Sequence, residues 1–179
     1  MMSIVYVFWM YVLLFAVIGA MRGWAKELLV SFSVITALAL NYLLRAYLPI
    51  VVDLPETGAG SSSLFWIRAI ILLALVYFGY QTVLVIPRLA SKAARERLQD
   101  SLFGAVLGAI NGYLVIGTLL FYYYTAGYPY PHVISQPTDP ALIATVDTMM
   151  KYMPPRLLGA PGIYFAVIIV LIFIIVVYI

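Results

Sequence analysis

The chain of 179 residues has no cysteine, one histidine and very little charge, with Asp, Glu, Lys and Arg together making up 9% of it. Without cysteine there can be no disulfide, thiolate metal site or iron–sulfur cluster held by this chain. His132 lies in a proline-flanked stretch, whereas haem ligation asks for an imidazole projecting from a helix, so it reads as an exposed loop residue. A soluble domain carries about 25% charged residues, and this composition falls far below that. Also missing are a nucleophile elbow, a zinc-binding helix pair and paired carboxylates on one face. The glycine-containing stretch 54–63 lacks the lysine that a phosphate-binding loop requires. Neither catalysis, nor a cofactor or metal, nor a nucleic-acid partner is expected.

Long apolar runs fill the space left by these absences. Five of them, at approximately 4–21, 28–52, 64–87, 103–126 and 163–179, are nearly free of charge, and the mean hydropathy of the chain is +1.08. About 20 apolar residues cross the hydrocarbon core as a helix, so the pattern predicts an all-α polytopic membrane protein with about five transmembrane helices. It divides into a four-span membrane domain over 1–126, a proline-rich outer loop over 127–162 and a fifth span over 163–179. The first span reads as a retained helix rather than a removable signal, because its first basic residues, Arg22 and Lys26, follow the apolar run.

Charge placement sets an orientation. Arg22, Lys26 and Glu27 lie between spans one and two, and Arg88, Lys92, Arg95, Glu96, Arg97 and Asp100 between spans three and four, giving six positive and three negative charges. Arg45, Asp53, Glu56, Arg68, Asp139, Asp147, Lys151 and Arg156 make four of each sign elsewhere, so the whole +3 falls on one face. The positive-inside rule then places the amino terminus outside, the two basic loops in the cytoplasm and the carboxyl terminus inside.

Shorter elements are legible between the spans. The stretch 88–101 has the spacing of an amphipathic helix on the inner membrane surface, where its basic face could meet anionic lipid. In the outer loop, Thr138 or Asp139 can cap a helix that starts at Pro140 and puts Leu142, Val146, Met149, Met150 and Met153 on one face. That helix should lie flat on the outer leaflet or equally dock in a groove of another subunit, and the last serine of 61–63 can cap span three. Tyr122, Tyr123, Tyr124, Tyr128 and Tyr130 at one end, and Trp24 at the other, match aromatic belts.

Arg45 and Arg68 fall inside apolar runs near their outer ends. The favoured reading is structural, with long side chains snorkelling to the headgroups and pairing with Asp53 and Glu56; the alternative is an outward anion site. Asn41, Gln81 and Asn111 are amides within spans that need hydrogen-bond partners, whereas the middles of the spans hold no carboxylate or histidine for a proton relay. Gly104, Gly108 and Gly112 recur every fourth residue in span four, and Gly19 and Gly23 repeat that spacing in span one. Such positions let helix backbones approach closely, so spans one and four are expected to pair within the chain, with a homo-oligomer seam as the alternative.

Two of these segments resemble a known family. The run Arg22, Gly23, Trp24, Ala25, Lys26, Glu27 is similar to the arginine-glycine, basic-glutamate signature of the colicin V production (CvpA-like) family, and Asp100, Gly104, Gly108 and Gly112 resemble the aspartate and glycines that open its last common helix. The resemblance covers about 1–126; the family often has arginine where this chain has Ser101 and Asn111, and no role of those arginines carries over. It implies a small multi-span inner-membrane protein linked to toxin export and envelope maintenance, without an established reaction.

Absent chemistry and abundant packing surface favour a non-catalytic accessory or scaffold subunit, packed against other integral membrane subunits and lipids in a larger complex such as an electron-transfer assembly. A CvpA-like transporter or export factor is the alternative, and a lipid-headgroup enzyme using Arg45 and Arg68 ranks last. The orientation is directly testable: a reporter fused at position 95 should be active only when it reports the cytoplasm, and a periplasmic signal there would reverse the topology.

Overall fold

The computed structural model describes residues 3–58, 61–82 and 97–178, and among them there are helices and no strand. The order is α1 (Ile4–Arg22), α2 (Trp24–Tyr47), α3 (Pro49–Val52), α4 (Ser61–Thr82), α5 (Arg97–Thr125), α6 (Pro140–Lys151), α7 (Pro154–Leu157) and α8 (Gly162–Tyr178). Four of them, α1, α2, α4 and α5, are long and apolar enough to cross a membrane. The 17 residues of α8, where a fifth span was expected, rise about 26 Å, short of a hydrocarbon core of about 30 Å and shorter than the other four.

Local chemistry explains the boundaries. Ser3 caps α1, its hydroxyl accepting from the Val5 amide at 3.4 Å. A single residue, Gly23, joins α1 to α2 at φ +87°, a backbone conformation that side chains rarely adopt. The second helix therefore starts at Trp24, earlier than its apolar run, and ends before Pro49, which opens the separate turn α3. Helix α4 begins at Ser61, so Ser63 lies inside its first turn and does not cap it; Ser61 donates to the carbonyls of Gly58 and Ala126 instead. Asp139 supplies the cap of α6, with Pro140 in the first turn. The amphipathic helix expected over 88–101 lies outside the described residues as far as 96, and Arg97 already belongs to α5.

Helices α1 and α5 run antiparallel, and α2 packs against α4, α5 and α8. Two apolar clusters hold the bundle. Val30, Val34 and Leu38 of α2 meet Leu72 and Val76 of α4, Leu114 and Val115 of α5, and Ile163 of α8. Edge-on ring contacts between Phe32 and Phe173 and between Tyr42 and Tyr164 run along the α2–α8 seam.

The second cluster changes the reading of the long loop. Val146, Met150 and Met153 are at most 2% exposed and pack on Ile4, Phe8, Val12, Leu120, Tyr123 and Tyr128. The apolar face of α6 is thus covered by the ends of α1 and α5. Tyr124 donates to Asp147 at 2.8 Å and Tyr113 to the Tyr152 carbonyl, tying the helix down. Three of the tyrosines assigned to a lipid-facing belt, Tyr122, Tyr123 and Tyr128, are buried within the protein. Their hydroxyls explain part of this: Tyr123 donates to the carbonyls of Tyr130 and Ile134, closing the turn after α5.

Candidate functional site

The glycines of span four face span one. A Cβ on Gly19 would collide with the Gly104 carbonyl oxygen and the Gly108 Cα, and one on Gly108 with the Phe15 carbonyl oxygen and the Gly19 Cα. One on Gly112 would come within 3.0 Å of the Val12 Cα. The glycine stripe of α5 is therefore filled by α1. Gly79 of α4, which had attracted no notice in the sequence, does the same beside Ser33 of α2.

At the end of the bundle where α1 turns into α2, this close approach assembles a polar cluster, called here the junction. Asp100 at the start of α5 accepts from the Trp24 amide at 3.0 Å and so caps α2 from another helix. Its carboxylate occupies the space that a Cβ on Gly23 would fill. Ser101 donates to the Ala20 carbonyl at 3.0 Å. Glu27, in the first turn of α2, is completely buried; its carboxylate lies 3.3 Å from the Arg22 guanidinium and accepts from the Asn111 amide at 2.9 Å. Asn111 also donates to the Glu27 carbonyl at 2.8 Å and accepts from Ser31 at 2.7 Å. Arg22 stacks over the Tyr80 ring at 4.2 Å and reaches the Tyr80 carbonyl at 3.4 Å. A buried carboxylate persists only when paired and hydrogen-bonded, and α1, α2, α4 and α5 all contribute to satisfying this one.

The opposite end, called here the loop end, holds Arg45 and Arg68. Arg45 Nη1 donates to the carbonyls of Val51, Val52 and Leu54 at 2.6–3.0 Å, capping the turn of α3. Both guanidiniums approach one oxygen, Oε1 of Glu56, at 3.3 Å from Arg45 and 3.9 Å from Arg68. Asp53 is exposed at the end of α3, and the ion pairs found here go to Glu56. Arg68 also lies over the Tyr122 ring at 5.2 Å. A cavity of about 270 Å³ opens beside these groups and beside Asn41, whose amide donates to the Arg68 carbonyl at 3.2 Å.

The resemblance had already pointed to Glu27, but its burial is hidden by the charge count, where it sits in a charged connection and counts as one loop charge. A signal was present: Glu27, Ser31, Val34, Leu38 and Asn41 follow one another at intervals of four and three, and all are buried. That periodicity marks one face of a helix that continues through the charged turn.

Four membrane-length helices knit together by a buried ion pair and close glycine contacts define a polytopic α-helical membrane protein. The family model described as Colicin V production protein matches residues 4–151, and the chain belongs to that family. The match runs past 126 through α6, so the loop helix docked on α1 and α5 lies within the family region, not in an appendage. No curated protein and no solved structure matches the chain.

Removing one partner from a buried pair leaves an uncompensated charge, at a cost of about 3–5 kcal/mol. Arg22→Ala, which strips the buried Glu27 carboxylate of its counter-charge, is accordingly expected to lower the thermal stability of the purified protein far more than Asp100→Ala, which forfeits a helix cap of about 1 kcal/mol. Equal, small shifts in the two melting curves would show that the junction does not hold the bundle together.

Proposed function

We propose that the chain is a non-catalytic factor of the bacterial cytoplasmic membrane that serves the production or export of a peptide toxin and the upkeep of the envelope. The observation carrying this reading is family membership over 4–151, which includes both signature segments and the helix that closes the loop end. Supporting it, the residues of those signatures converge on structure: Arg22, Gly23, Glu27 and Asp100 meet at the junction with the glycines beside them. Such a junction fixes how four helices enter and leave the membrane, which suits a protein that presents its two faces to other membrane proteins and lipids.

The accessory-subunit reading is the weaker one. Its motive was absent chemistry and abundant packing surface, and α1 takes up the glycine part of that surface. An electron-transfer assembly as host has no support from the family match. Deleting the gene from a host that carries a colicin V-type toxin operon should reduce toxin activity in the medium and raise sensitivity to detergents, with wild-type chain in trans restoring both and respiration unaffected. Normal release and a normal permeability barrier in the deletion strain would contradict the proposal.

A further inference from the structure

We propose that the loop-end cavity between α2, α4 and α5 binds a small oxyanion with a single negative charge and at least one hydroxyl or amine donor, the chemistry shared by a phosphatidylglycerol headgroup and free dihydrogen phosphate. This site is independent of the role in toxin production. Three observations carry it.

The first is charge. Two guanidiniums, with side chains only 27% and 14% exposed, share one carboxylate, which leaves one positive charge uncompensated at the cavity wall. Buried charges are paired, and a monoanion would complete the set.

The second is unspent hydrogen-bonding capacity. Arg45 commits one nitrogen to three backbone carbonyls, but Arg68 stands 3.9 Å from Glu56, too far for a hydrogen bond. A guanidinium offers five donors in a planar fork suited to two oxygens of one phosphate or carboxylate. Asn41 is 4% exposed and lines the same cavity, and its Oδ1 has no partner, whereas its Nδ2 is committed to the Arg68 carbonyl. Because that bond requires a donor, the amide cannot be turned over to hide the free oxygen. A free acceptor beside a guanidinium that meets only the Tyr122 ring and a distant Glu56 oxygen suits a ligand bearing both an anionic oxygen and an O–H or N–H.

The third is the guard. Glu56 is 58% exposed and belongs to the loop before α4, so it can give way to a better-placed anion at little cost. The cavity volume of about 270 Å³ suits a phosphate or glycerol phosphate group rather than a large solute. Arg68 lies seven residues into α4, about 10 Å along its axis from Ser61, a depth that a lipid headgroup or a water-borne anion can reach.

The test uses the full chain in a neutral detergent, titrated with inorganic phosphate, with short-chain phosphatidylglycerol and with short-chain phosphatidylcholine, and read by native mass spectrometry and calorimetry. Saturable binding of phosphatidylglycerol alone assigns a lipid headgroup; binding of phosphate assigns a water-borne anion; phosphatidylcholine should not compete. Glu56→Gln, an exposed substitution that does not threaten folding, removes the internal competitor and should tighten binding severalfold. Arg68→Gln should weaken it about tenfold or more, the effect of losing charge-assisted hydrogen bonds. The proposal is overturned if wild type and Glu56→Gln bind neither anion, if phosphatidylcholine binds equally well, or if Glu56→Gln leaves affinity unchanged or weaker.

Discussion

The contact on which the rest of the molecule depends is the one between the backbones of α1 and α5, with no side chain between them at Gly19, Gly104 and Gly108. In a membrane, apolar side chains gain nothing by leaving lipid for protein, and close packing of small residues takes over the role that hydrophobic burial plays in water. The geometry of this contact sets the polar chemistry around it. With α5 pressed against α1, Asp100 arrives at the amide end of α2 and occupies the niche left by the missing Cβ of Gly23. Farther along the same helix, Asn111 arrives at Glu27. The glycines and the ion pair are therefore one device, in which backbone proximity makes a buried charge affordable and the charge fixes the register of the helices.

Helix α2 connects the two polar sites. Its buried face carries Glu27 and Ser31 at the junction, apolar Val34 and Leu38 in the middle, and Asn41 at the loop end. Each end leaves one buried oxygen without a hydrogen bond, Glu27 Oε1 at the junction and Asn41 Oδ1 at the loop end, but the two differ in charge balance. At the junction one carboxylate meets a guanidinium and an amide, whereas at the loop end two guanidiniums meet one exposed carboxylate and an amide oxygen is left without a partner. The first arrangement balances one carboxylate against one guanidinium and serves structure; the second carries an excess positive charge beside a cavity with room for a guest.

Much of the fold was readable from the sequence because bilayer thickness imposes a length on apolar runs, and four of the five runs correspond to helices of that length. The pairing of spans one and four was readable from glycine spacing, since only small residues permit the approach. The burial of Glu27 was not, because charge counting treats the residues between spans as a connection, and here the connection is the single residue Gly23 with helix on both sides. The tyrosines misled for a related reason: a cluster at a span end has the composition of a lipid-facing belt, but Tyr122 and Tyr123 face inward toward Arg68 and the loop carbonyls. The docking of α6 needed knowledge of what covers its methionine face, and an amphipathic pattern reads alike for a membrane surface and for a protein groove.

The absence of cysteine makes the central contact open to a clean measurement. Cysteines placed at Ala20 and Ser101, where the Ser101 hydroxyl reaches the Ala20 carbonyl at 3.0 Å, can be joined in native membranes with a short thiol-reactive cross-linker. The account predicts a bridge within one chain that changes its mobility as a monomer and forms with high yield. Failure to bridge, or bridges found only between two copies, would place the glycine seam between molecules and contradict it.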